Sequence, residues 1–438
     1  MQALLSFEQA PPIAAPFRFF LTAPLFSALA GVLLLTNGAD IFSSRWSSAA
    51  LAATHLITVG FMLQVMIGAM VQILPVVAGA NLARPLLVAS VVHGLMVAGT
   101  LALAAGFLGI SALAFPVAMV LLVAGIGLFV LMAALSLCGV PSTSATIAGF
   151  KRALLGLLVV GAIGVALVGG LEGHWSLAMM AVTRMHVAWG LGAWGLGLLS
   201  AVAYVVVPMF QITPQYPVWF SRYFGSVLLA SVTMASLASL TAMEWLLSLL
   251  EATTVWLSAG FCAMTLWLQA RSKRARPDLT QRFWRIGLSC GLAACLLWGI
   301  VRVIPVFEPQ ADWPLIFGAL VLVGGFVSVI SGMLYKIVPF LVWLHLQNRG
   351  KGKVMAPNMK MVLAESRMAR HFYTHLASCG LLVAAPLWPA VVARLAGLTM
   401  IAASALLAAN LLSAVAVYRR YAALIDERLA STLAGAGA

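Results

Sequence analysis

The amino-acid sequence predicts an all-α membrane protein of about twelve spanning helices, arranged as three pseudo-repeated four-helix units with both termini in the cytoplasm. Three observations carry that expectation. Hydrophobic residues make up 63% of the 438 and charged residues only 8%, whereas a soluble domain carries roughly 25% charged residues. The apolar residues fall in runs long enough to cross a hydrocarbon core about 30 Å thick. The basic residues, 25 against 11 acidic ones, collect in every second connection, as the positive-inside bias demands of cytoplasmic loops.

The runs cover roughly 17–37, 47–78, 83–108, 112–138, 153–171, 178–210, 223–243, 245–270, 283–305, 313–344, 371–389 and 391–418. Turn-forming stretches separate them, among them Asn37-Gly38-Ala39-Asp40, Asn81 to Pro85 and Pro214 to Pro217. The break from Thr241 to Trp245 is the least marked. Lys151 and Arg152 follow the fourth run, Arg271 to Arg285 supply six basic residues after the eighth, and Arg349 to Arg370 another six after the tenth. Arg419 and Arg420 follow the twelfth. The expected organisation is therefore a cytoplasmic segment at 1–16, one membrane domain at 17–420 and a cytoplasmic tail at 421–438, whose last part, Ala430 to Ala438, is expected to be disordered. Glu8 and Pro11-Pro12 stand where a signal peptide would need a basic region, so no cleavable leader is expected. With its charge in short loops, the net +14 reads as orientation and not as a nucleic-acid surface. Cys138, Cys262, Cys290, Cys295 and Cys379 lack CxxC spacing and read as small core residues.

The second, sixth and tenth runs resemble one another. Each bears glycines and ends on two apolar residues and a proline: Ile73-Leu74-Pro75, Val206-Val207-Pro208 and Ile337-Val338-Pro339. Two carry a His some six turns earlier, His55 and His186, where the third has Phe317 or Ala319. These copies mark repeats at roughly 17–138, 153–270 and 283–418.

His55 lies about eight residues into a run that descends from the outside, roughly 12 Å below the surface at 1.5 Å per residue. An imidazole at that depth is a functional hypothesis by default, and neutral imidazole is the commonest protein metal ligand; the alternative is a polar side chain satisfied by a neighbouring helix. His186 begins the sixth run on the same side, after Glu172, His174, Met179, Met180 and Met185. Imidazole and thioether donors suit copper, Cu(I) above all, although an interfacial loop facing lipid would look the same. His93, in the third run, is a possible second deep ligand. Met62, Met66 and Met70 share a helix face and read as packing. His371 and His375 share a face but start a run on the cytoplasmic side, as does His345; flanked by Arg367 and Arg370, they are expected to be interfacial. Glu251 and Lys336 sit near span ends, Lys336 within reach of the cytoplasmic surface. Ala356 to Arg370 is expected to lie on the inner leaflet as an amphipathic helix.

The second run, from Thr54-His55-Leu56 through Gly68-Ala69-Met70-Val71-Gln72 to Pro75, resembles the second helix of the catalytic subunit of heme-copper oxidases. The opening Ala15-Pro16-Phe17-Arg18-Phe19-Phe20-Leu21 is similar to the start of the NnrS family of haem- and copper-associated membrane proteins. The resemblance implies His55 as a ligand of haem b and His186 as the helix-six His; the residues themselves add His93 as a second cofactor ligand and make His55, His186, His174 and Met185 the candidate metal set for copper. The departures are as telling. The seventh run contains no His and the tenth none before His345, so the resemblance implies a scaffold without the ligands for oxygen reduction. Redox, nitric-oxide stress and metal-handling roles follow as expectations, with a secondary transporter or metal-ion exporter as the alternative. The expected partners are membrane lipids and further copies of the chain, as a trimer or dimer.

Overall fold

The computed structural model describes residues 6–241, 243–304, 312–350 and 354–435. They are helical throughout, with no strand among them. The long helices are α1 (Ala14–Asn37), α2 (Ser48–Ala78), α3 (Pro85–Phe107), α4 (Ala114–Leu137), α5 (Ala145–Leu171), α6 (Met179–Gln211), α7 (Val218–Ala238), α8 (Glu244–Ala270), α9 (Leu279–Val303), α10 (Trp313–Arg349), α11 (Glu365–Ala384) and α12 (Pro389–Gly435). Ten of them are long and apolar enough to cross a membrane, and α7 and α11 are 21 and 20 residues long. The outward side chains match: on α4, Val120 is 69% exposed and Leu135 60%, a surface stable only against lipid. The chain is a multi-pass membrane protein.

Local chemistry sets the ends. Ser47, Ser144 and Asp278 cap α2, α5 and α9, each side chain accepting from the backbone N–H three residues on. Gly38 (φ 56°) and Gly79 (φ 65°) end α1 and α2 in backbone that a Cβ would strain. The α5 start lies eight residues before the apolar run, because the capped turn Ser144–Ile147 extends the helix into polar sequence.

Burial separates an inner set from an outer one. The most apolar stretch of α2 is 83% buried, and those of α6 and α10 are 56%, against 22–50% for the other spans. The outer helices follow one another around these three in the order α1, α3, α4, α5, α7, α8, α9, α11, α12, and α12 closes the ring on α1. That closure depends on small residues: Gly31 of α1 and Gly397 of α12 bring the two backbones into direct contact.

Each inner helix contains an extended π-helical stretch: Leu56–Leu63 in α2, Ala188–Leu196 in α6 and Leu320–Val327 in α10. Such stretches are usually single turns and cluster at functional sites. The inner helices also meet their outer neighbours at matching places. Seven residues before the proline (68 to 75, 201 to 208, 332 to 339), Gly68 lies on Phe19, Ala201 on Gly149 and Gly332 on Phe283. Fifteen residues before it (60 to 75, 193 to 208, 324 to 339), Gly60 lies on Phe26, Ala193 on Gly156 and Gly324 on Cys290.

Three expectations are corrected. The segment Ala356 to Arg370 does not form one surface helix: a four-residue helix, Met359–Val362, precedes a break, and α11 begins at Glu365. The tail is not loose, for α12 runs unbroken to Gly435, residues 436–438 lying outside the described residues. Lys336 does not reach alone toward the surface: its Nζ sits 2.8 Å from Asp278, which also holds Arg274 at 2.6 Å. Glu251 is likewise held, by Arg302 at 3.3 Å.

Asp278 ties three elements together, capping α9 through Gln281 N and accepting from Thr280 Oγ1. Burial pushes its carboxyl upward, but hydrogen bonds from Lys336, Thr280 and Gln281 outweigh it and hold the group below the ordinary carboxylate range. A carboxyl depressed on folding stabilises above its unfolded pKa, about 3.9, and that contribution disappears as pH falls through the folded value. Asp278→Asn is therefore expected to lower stability by about 1–3 kcal/mol at pH 7. Melts of wild type and variant should differ at pH 7 and draw together as the pH falls below the ordinary carboxylate range, where the folded carboxyl takes up its proton.

Candidate metal centre

Two imidazoles meet at the end of the bundle where α2 and α6 begin. His55 and His186 are each the eighth residue of their helix, counted from Ser48 and Met179. Each stands at the entrance of a π stretch, which starts at Leu56 and Ala188. The ring centres are 6.3 Å apart and the planes inclined by 30°. His55 Nδ1 donates to the Leu51 carbonyl at 2.8 Å, which leaves Nε2 as the nitrogen with the lone pair. Nδ1 of His186 is buried without a hydrogen-bond partner. Phe107, at the end of α3, lies on His55 at 4.8 Å and 29°. On α5, Gly164 keeps space open: a Cβ there would sit 3.3 Å from His186 Cε1.

Two imidazoles that bind one ion from opposite sides place their centres about 6 Å apart, from metal–nitrogen bonds of about 2.0–2.1 Å plus the radius of each ring. The observed spacing fits that arrangement. His55 and His186 are the side chains that would hold such an ion, and among the described residues no three His, Cys, Asp or Glu side chains gather to hold one.

The other predicted site residues are not brought to it. His93 lies along α3 from Phe107, fourteen residues (93 to 107) or about 21 Å at 1.5 Å per residue. It bonds Thr22 Oγ1 at 2.9 Å and packs edge-on against Phe19, so it and His55 do not share a centre. His174 is 58% exposed and pairs with Glu172 at 3.5 Å. Met185 packs with Trp189, Ala193 and Val232. Met62, Met66 and Met70 are core residues, 4%, 7% and 0% exposed.

His371 and His375 are not interfacial but buried, 2% and 4% exposed. Because α11 begins at Glu365, six residues ahead of the apolar run, its first two turns carry the charges and both His rings fall deeper, against Phe283. Asn410 donates to Tyr335 Oη at 2.7 Å, and the phenol and His371 Nδ1 share a hydrogen bond at 2.9 Å. Ser328 and Cys379 lie 2.7 and 3.4 Å from His375 Nε2. His345 is ten residues beyond Tyr335 on α10 and bonds the Pro11 carbonyl at 3.0 Å, so it is not part of this group.

Sequence reasoning missed Phe107 and Gly164, which shape the metal pair, since neither carries a signal of its own inside an apolar run. It also missed the network of Ser328, Tyr335 and Asn410, although Asn410 in mid-span is a visible flag. No protein-family model matches the chain, and no curated protein matches it.

Proposed function

We propose that this chain is a twelve-span protein of the bacterial cytoplasmic membrane, with both ends inside, that binds copper between His55 and His186 near the outer leaflet and has no oxygen-reductase activity. The observation that carries the reading is the imidazole pair itself: two rings at ligand spacing, deep in apolar helices, each with a nitrogen not committed to the protein. The π stretches and matching contacts of α2, α6 and α10 support a scaffold of three four-helix units, and loop charge supports the orientation. Copper bound there supplies one-electron redox chemistry. The chain's own part is to hold it: Leu51 fixes the His55 tautomer, Phe107 fixes its ring, and Gly164 leaves His186 room to turn. Haem b is the other group the donor pair suits.

Elemental analysis and a visible spectrum of the purified full chain test this. About one copper per chain is expected; a Soret band at comparable stoichiometry would assign haem instead. Neither metal above trace level overturns the reading. A second reading, a metal-ion exporter, is favoured by the small donor set, because two ligands release an ion more readily than four. Copper efflux from proteoliposomes that stops in His55→Ala would favour it over a resident redox centre.

A further inference from the structure

Away from the metal pair, a small cleft opens between α5, α6 and α7. Its floor is made by Gly149, Gly197 and Ala201, and its unfilled space is about 300 Å³, part of it open to the exterior. Arg152 and Tyr204 line it. The guanidinium makes one hydrogen bond, from Nη1 to Ser226 Oγ at 3.2 Å, and its Nε is buried without a partner. The Tyr204 hydroxyl is also buried, with Ser200 beside it but no hydrogen bond of good geometry. A side chain at Gly225 would meet the guanidinium at 3.0 Å, so glycine there leaves the cation its room.

Arg152 stands about 10 Å along α5 (145 to 152), just ahead of the apolar run that begins at 153, and a charge packed among helices at that edge is costly unless something neutralises it. Nothing on these helices does. Neither α6 nor α7 contains a carboxylate, and Glu172, the cap of α5, is twenty residues away (152 to 172), about 30 Å. Its neighbour Lys151 behaves differently, reaching back to the Val140 carbonyl at 2.6 Å. Arg152 turns toward α7 and leaves its charge and its unpartnered Nε at the cleft.

We propose that this cleft takes an anionic oxygen, a phosphate or carboxylate oxygen at the head of an amphiphile, between Arg152 Nε and Tyr204 Oη. The cleft is too small for a whole head group, so one oxygen enters and the rest of the head stays in the open mouth. The apolar tail lies along the exposed Leu155 and Leu158 of α5 and Val227 of α7. This site is independent of the metal pair, and the loss of either reading leaves the other standing.

Native mass spectrometry of the full chain, titrated with palmitoyl-oleoyl phosphatidylglycerol or with the uncharged diacylglycerol of the same tails, tests the proposal. Wild type is expected to retain one phosphatidylglycerol at least about tenfold more tightly than the diacylglycerol, which lacks the anionic oxygen, the size of effect a charge-assisted hydrogen bond produces. Arg152→Gln removes the preference, and Tyr204→Phe, which keeps the ring, weakens it about threefold. Should Arg152→Gln fail to fold, Tyr204→Phe decides alone. Displacement of the lipid by millimolar inorganic phosphate would show that the head suffices and that a free anion can occupy the site; persistence of the lipid would show that the tail contributes. Equal retention of the two lipids by wild type, or a preference unchanged in both variants, overturns the proposal.

Discussion

Replacement of His55 by Ala is expected to strip the chain of its metal, with copper per purified molecule falling from about one to under about a tenth, an affinity loss of at least about a hundredfold. His186→Ala should do the same, because a pair of imidazoles reduced to one keeps no geometry for an ion. His174→Ala should leave metal content unchanged, since that ring is exposed and held by Glu172, and His93→Ala likewise, since it lies along α3 from the pair. Circular dichroism and thermal melts of the four variants show whether the fold survives. Metal retained in folded His55→Ala and His186→Ala chains would remove this site assignment while leaving a metal protein.

The largest effect on the fold is expected from Gly397→Leu. A Cβ at Gly397 would stand 2.6 Å from Leu35 N and 2.7 Å from the Gly31 carbonyl, so the clash is with backbone and no rotamer relieves it. The α1–α12 contact closes the outer ring, and forcing it apart is expected to cost about 3 kcal/mol or more. Gly127→Leu on α4 is the control: nothing lies within 4 Å of a Cβ there, and the added side chain meets only lipid. Thermal unfolding in detergent should show a clear drop for the first and little change for the second. Equal melting points would mean that the two helices separate freely.

Much of the helical framework was legible because spanning length is a coarse signal: some twenty apolar residues between turn formers leave few choices. The matching contacts of α2, α6 and α10 were half legible, through Pro75, Pro208 and Pro339, but their π winding was not, because it depends on how an inner helix is gripped by its neighbours. His371 and His375 were misjudged because the charged stretch Glu365 to Arg370 reads as the end of a surface helix on the inner leaflet, whereas it is the first turns of α11. Arg152 was counted with Lys151 as orientation charge. Composition cannot separate a side chain that reaches back to a loop from one that turns into the bundle. The proximity of His55 and His186 lay beyond reading as well, since 131 positions (55 to 186) separate them and only the packing of α2 beside α6 joins them.

The π stretches link helix winding to the imidazole pair. An i→i+5 spiral is wider and shorter per residue than an α-helix, so rewinding Leu56–Leu63 would lengthen α2 and twist its two halves against each other. With the Pro75 half clamped by Gly68 on Phe19, that twist is delivered to the half that carries His55, which is held by α1 and α3. Tightening or relaxing one spiral would thus turn one ring relative to the other, and the proposed ion site would answer to torsion in the backbone.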